Sequence, residues 1–312
     1  MAIEDDVSAE HYFGGAWTEV KLDAISEYLQ FYTSALKSSK FSLWYVDAFA
    51  GSGERTATVE RGGIFDGSPL RWEHVQLDGS AKRALAIEPA FSAYIFIEQD
   101  TGRFASLTKL STEHADREIV CKPAEANAAL AEVFLSPPWS GQRQGNGPLR
   151  AVVFLDPYGM SVKWKTLEML AKTAAVDVWY LFPLNAVVRQ LAKKYEAIDA
   201  AKQAKLDEIF GCNDWRTALY ETDVKRDLFD EISEKTTRAA NQRQIETYAA
   251  QRLRTVFSYV SDPVPLLTDR GAQLFSLFCM SHGGPRAQAL IQKGVNHVLK
   301  KYAPASRQRF AL

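Results

Sequence analysis

The 312-residue chain is short of cysteine, of net charge and of long apolar runs, and each shortage closes off a class of protein. Its three cysteines, Cys121, Cys212 and Cys279, share no spacing typical of metal ligands and cannot all pair with one another. A disulfide framework and a metal site are therefore not expected, and core thiols in a reducing cytoplasm are. The formal net charge is -1, from Lys+Arg 37 against Asp+Glu 38. No overall field draws such a chain onto nucleic acid or an anionic membrane, so any partner of that kind has to meet a local patch. No apolar stretch reaches bilayer length, and the opening residues MAIEDDVSAEHYF lack the basic and apolar regions of a secretory signal. Internal repeats and low-complexity segments are absent too. The expectation is a soluble cytoplasmic protein without a membrane partner.

What is present is 46% hydrophobic residues over a length that can bury a full core. Leu22, Ile25, Leu29, Tyr32 and Leu36 recur at three- and four-residue steps and predict a helix from about Trp17 to Leu36. Short apolar runs then read as buried strands: FSLWYV from Phe41, YIFIE from Tyr94, REIVC from Arg117, AVVFLD from Ala151 and VDVWYLF from Val176. Helical stretches between them, at Ala124 to Phe134 and Lys165 to Lys172, imply an α/β fold with a mostly parallel sheet covered on both faces. Residues 184–258 have helical periodicity and mixed charge, and are expected to form a helical insertion within one domain spanning 1–312, acting as a lid or substrate-recognition element. PVPLL, the turn TDRG and AQLFSLFCMSH predict a C-terminal antiparallel hairpin, and a last helix is expected from Pro285 to about Tyr302.

The segment FSLWYVDAFAGSGERT, Phe41 to Thr56, carries the chemistry. An apolar strand ends in Asp47 and runs into Gly51 and Gly53, the order that places backbone N–H groups beside a ligand at a strand's carboxyl end. No lysine follows the glycines, so a triphosphate loop is disfavoured, and Thr56 stands where a dinucleotide fingerprint needs its third glycine. An acid ahead of the turn suits a cationic ligand instead. Further acids follow in step: Glu98 at the second strand end, Glu125 after the third and Asp156 at the fourth. S-adenosylmethionine, with its ammonium, sulfonium and ribose, fits such a set, Glu98 accepting from ribose hydroxyls.

DAFAGSG resembles the D-P-F-x-G-S-G segment of class I S-adenosylmethionine-dependent methyltransferases, in particular those acting on exocyclic amines of bases. Together with GSP at Gly67 to Pro69, FIEQD at Phe96 to Asp100 and FLDPYG at Phe154 to Gly159, the chain resembles the three-Cys-motif partner (TcmP) family. The likeness runs from the first helix, with Trp17 and Lys21, to the terminal helix. It implies a Rossmann-like methyltransferase fold, and a neighbouring three-Cys-motif protein as partner. Carried onto this chain, it implies donor contacts from Asp47, Phe49, Gly51, Gly53, Glu98, Gln99, Glu125 and Asn127. Asp156, Pro157 and Tyr158 correspond in part to the (D/N/S)-P-P-(Y/F/W) loop, in which the polar side chain and a prolyl carbonyl orient the target amine and the ring stacks on the base. One proline is missing here and the aromatic comes one place early.

Plainer readings stand beside these. Gly51 and Gly53 could serve strand–helix packing, Asn127 could be a first-turn helix residue, and Asp156-Pro157 a strand-end turn. Ser68-Pro69 is expected to cap and open a helix, delayed by a loop from Glu54 to Asp66 that could lean over the cofactor. His282 is either a general base or a capping residue. The expected activity is N- or O-methylation of a nucleoside, base or small molecule. RNA or DNA base-amine methylation and a non-catalytic partner protein with the same fold are the alternatives.

Overall fold

Side chains alternate across a strand, so a sheet with apolar residues at both parities has to be covered on both sides. The computed structural model, which describes residues 16–63, 68–142, 147–226, 232–268 and 270–302, shows that arrangement. In chain order the first half comprises α1 (Ala16–Leu36), β1 (Ser42–Asp47), β2 (Glu54–Gly63), β3 (Ser68–Asp78), α2 (Ser80–Leu85), β4 (Ala93–Ile97), α3 (Thr101–Glu113), β5 (Ile119–Lys122) and α4 (Ala126–Leu135). Then come β6 (Leu149–Leu155), α5 (Trp164–Lys172), β7 (Val176–Phe182), α6 (Leu184–Gln190), a 3-10 turn (Tyr195–Ala197), α7 (Ala200–Phe210) and α8 (Trp215–Ala218). The chain closes with β8 (Tyr220–Arg226), β9 (Ile232–Arg238), α9 (Gln242–Arg254), β10 (Tyr259–Val260), β11 (Val264–Leu267), β12 (Gln273–Ser281) and α10 (Pro285–Tyr302).

The main sheet has the order β10-β12-β7-β6-β1-β4-β5, with β11 also paired to β12. β5, β4, β1, β6 and β7 are parallel, whereas β12 runs antiparallel to β7 and forms a hairpin with β11. The chain winds outward from β1 through β4 to β5 and then returns to β6 on the other side of β1. That reversal opens a crevice at the carboxyl ends of the central strands. The fold is Rossmann-like, with the expected C-terminal antiparallel hairpin.

Strand parity sorts the core into two layers. Tyr45, Tyr94, Phe96, Val152, Phe154, Trp179 and Leu181 pack with α1, α2, α3 and α10. Val46, Ile95, Ile97, Val153, Leu155, Tyr180 and Phe182 pack with α4, α5, α6, α7 and α9. An acid of β7 lies within the first layer: Asp177 is buried and accepts a 3.0 Å hydrogen bond from the Tyr28 hydroxyl of α1.

Two expectations fail. Residues Ser68 and Pro69 open strand β3, not a helix, and the stretch from Glu54 forms β2; together these strands make an antiparallel hairpin in register from Glu54↔Asp78 to Arg61↔Arg71, with a register shift before Gly63↔Ser68. The next helix begins only at Ser80. Alternation in RTATVE and LRWEHVQL favours strands, and the hairpin satisfies its backbone groups by pairing with itself. Segment 184–258 also contains β8 and β9, a second self-paired hairpin between α8 and α9, so the insertion is mixed and not wholly helical.

Burial pushes the Asp177 carboxyl up to about 6 against the hydrogen bonds that Ser281 and Tyr28 donate. Tyr28→Phe removes one donor from an acid that is ionised above that value. The expected loss is about 1–3 kcal/mol of unfolding free energy near neutral pH, shrinking below pH 6, as measured by urea denaturation.

Candidate functional site

Registry sets three acids side by side. Asp47 of β1 is level with Phe96 of β4 and Phe154 of β6, so Glu98 and Asp156 stand two residues beyond that row and share its face. The turn after Asp47 is strapped between the same neighbours, Ala48 N donating to Phe154 O at 3.0 Å and Ala50 N to Ile97 O at 3.0 Å. Gly51 and Gly53 are both left-handed, with φ of 64° and 77°. Their surroundings differ. A Cβ on Gly51 would meet nothing within 4 Å, whereas one on Gly53 would lie 2.9 Å from Leu110 Cδ2 of α3. Gly51 therefore faces open space, and Gly53 has the packing role.

A cavity of about 560 Å³ lies at the ends of β4, β5 and β6. Of the residues expected to touch ligand, Phe49, Glu98, Gln99, Glu125 and Tyr158 line it. Asp47, Gly51, Gly53, Asn127, Asp156 and Pro157 do not form its wall. Glu125 also caps α4, accepting from the backbone N–H groups of Asn127 and Ala128 at 3.0 Å each. Burial raises its carboxyl, but these bonds outweigh that and hold it below the ordinary value. The Asn127 amide is fully engaged: it donates to Ser161 O at 2.9 Å and to Glu125, and accepts from Lys163 N at 2.9 Å and Thr166 Oγ1 at 2.7 Å. Asn127 thus ties α4 to α5 and has no group left for an adenine edge. None of the residues lining the cavity comes from 184–258.

Asp47 is fully buried and accepts from Phe49 N at 3.2 Å and from the Tyr45 hydroxyl at 3.4 Å. It holds the glycine turn from beneath. Burial pushes its carboxyl up to about 7, with hydrogen bonds from Ser80 and Phe49 opposing, the charge of Asp156 reinforcing and that of Lys21 opposing. Lys21, on α1, is itself buried and bonds Asp156 Oδ2, while its ammonium lies 5.3 Å from the Trp17 ring centroid. Asp156 keeps partial access, its side chain being 26% exposed. Sequence reasoning gave Lys21 no role at the site. The available signal was its place four residues before Ile25, on the buried stripe of α1.

Arg103 was also missed. It lines the cavity from the first turn of α3, whose N-cap Asp100 accepts from Arg103 N at 2.9 Å. Its guanidinium donates to Glu98 at 3.0 Å and lies 5.1 Å from the Tyr158 ring centroid. His282, by contrast, uses Nδ1 to accept from Ser258 N at 3.2 Å, a loop-capping contact. The three cysteines are free thiols, and no cluster of metal-ligating side chains occurs among the described residues. No helix among them is long and apolar enough to cross a membrane.

An aspartate raised from 3.8 to about 7 disfavours the folded state as it ionises, so its contribution to stability declines as pH rises across that interval. Asp47→Asn removes the titration and retains an acceptor. Relative to the wild type, the variant should gain stability between pH 4.5 and 7.5, by about 1 kcal/mol per pH unit, in urea unfolding curves. A constant difference across that range would show that Asp47 ionises normally.

No family model matches the sequence and no curated protein matches it, so the likeness to the three-Cys-motif partner family rests on the motifs alone. Solved structures do match. The chain is similar to the protein LPL1258 from Legionella pneumophila str. Philadelphia 1, with a TM-score of 0.50, 11% identity and 94% of each chain covered. Weaker likenesses include an S-adenosylmethionine-dependent methyltransferase from Clostridium acetobutylicum ATCC 824, with a TM-score of 0.32, 10% identity and coverage of 83% of this chain and 92% of that one. A putative S-adenosylmethionine dependent methyltransferase from Listeria monocytogenes gives 0.34 and 8% identity over 83% of this chain and 99% of that one. At these identities the likeness to the Legionella protein shows a shared fold, and the chemistry has to be argued from the site.

Proposed function

We propose that the protein is an S-adenosylmethionine-dependent methyltransferase acting on a nitrogen or oxygen nucleophile of a base, nucleoside or small molecule. The observation that carries this reading is Glu98: a carboxylate only 3% exposed, at a strand end, forming the wall of a cavity large enough for a nucleoside. The residues fit such a donor. Gly51 leaves room for close approach to its backbone, Phe49 supplies an apolar wall, and Gln99 and Glu125 add polar groups.

The bound donor supplies a methyl group already activated by its sulfonium, so the acceptor needs orientation more than deprotonation. Asp156 is held by Lys21 through Oδ2, which leaves Oδ1 to accept a hydrogen bond from the nucleophile's N–H or O–H. The Pro157 carbonyl is the second acceptor in this reading. Tyr158, 52% exposed, offers its ring to a planar acceptor. Segment 184–258, absent from the cavity wall, is assigned to acceptor recognition. A basic acceptor surface is what separates nucleic acid from small molecules, and a steep fall of RNA or DNA binding with salt would favour the former.

Calorimetric titration with S-adenosylmethionine and S-adenosylhomocysteine should show one site, and Glu98→Gln should weaken both ligands about tenfold, the loss of a charge-assisted hydrogen bond. No binding by the intact wild type would leave only the non-catalytic partner reading. With an acceptor identified by labelled methyl transfer to cell extract, Asp156→Ala should slow transfer about 100-fold and leave S-adenosylhomocysteine affinity unchanged. Unchanged transfer would remove Asp156 from the mechanism.

A further inference from the structure

We infer that Arg103 is a positioning residue that presents Glu98 to the ribose hydroxyls of the donor and thereby sets the site's preference for a ribonucleoside. This deepens the methyl-donor reading and rests on it. A glutamate carboxyl rotates freely about its last torsion, so burial alone does not decide which oxygen faces a ligand. In this site two donors decide it: Asp100 N at 2.8 Å and Arg103 Nη2 at 3.0 Å both bond Oε1. They occupy both lone pairs of that oxygen and leave Oε2 to accept from a cis-diol.

The arginine is itself fixed. Its backbone N–H bonds the Asp100 side chain at 2.9 Å, and its guanidinium rests against the Tyr158 ring at 5.1 Å. A planar fork stacked on a ring loses little further freedom when it bonds a carboxylate, which a flexible lysine would not match. Arg103 Nε is buried without a hydrogen-bond partner among the described residues. Buried to that extent, Nε is closed to a ligand hydroxyl as well, so Oε2 is the group the pair presents to the diol. Tyr158 stands on the acceptor side in the proposed mechanism, so the same guanidinium joins the donor half of the cavity to the acceptor half.

The test compares calorimetric affinities for S-adenosylhomocysteine and its 2′,3′-dideoxyribose counterpart. The wild type should prefer the ribose form by about tenfold or more. Arg103→Met should bring that ratio close to unity, and because Glu98 loses its countercharge the melting temperature should fall as well, so the ratio is the readout. A merely structural role would weaken both ligands together and keep the ratio. Tyr158→Ala, which removes the stack without altering Arg103, should lower the ratio in the same direction and serves if Arg103→Met does not fold. An undiminished ratio in either folded variant overturns the inference, as does a wild type that binds both forms equally. A wild type that binds neither overturns the donor reading, and the inference with it.

Discussion

Three carboxylates stand on one face of the sheet at the ends of adjacent strands, and burying like charges together is costly unless each is neutralised. The structure meets that constraint in three ways. Asp47, with no ion pair among the described residues, has its carboxyl pushed up to about 7 by burial. Asp156 is paired with Lys21, and Glu98 with Arg103. Much of the surrounding architecture follows. α1 has to dock so that a buried lysine reaches the end of β6, and α3 has to be capped at Asp100 so that its first turn delivers an arginine to β4. The helices that cover this face also supply the countercharges to two of its acids.

The strands, and hence the shared face of the three acids, were legible because buried parallel strands read as short apolar runs and side-chain parity is fixed by the backbone. Asp47, Glu98 and Asp156 could each be located from the residue that ends an apolar run. The two self-paired hairpins were not seen. Around Gly67-Ser68-Pro69 the turn chemistry of a helix start and that of a hairpin coincide, and proline suits either the first residue of a strand or the first of a helix. In 184–258, YETDVKR and ISEKTTR are polar enough to pass for solvated helix, because neither shows the apolar alternation that marks a half-buried strand.

Within the site, local and distant information separate sharply. Gly51 and Gly53 are indistinguishable in the sequence, two small residues in one turn, and the structure gives one to open space and the other to Leu110. Asn127 suited an adenine edge on position alone. Besides its local bond to Glu125, its three hydrogen bonds to Ser161, Lys163 and Thr166 bind it instead to a segment 34 to 39 positions away.

The sequence by itself determined the parallel sheet, the terminal hairpin, the acids at the strand ends and the absence of a phosphate-binding lysine. Those properties are local, set by apolar periodicity and by which residue follows a strand. Only the tertiary structure decided which acids face the cavity, which acid is left without a countercharge, and that Lys21 and Arg103 belong to the site. Such facts depend on helix docking: Lys21 meets Asp156 across 135 positions of chain, and no propensity or spacing encodes a contact made by packing at that range.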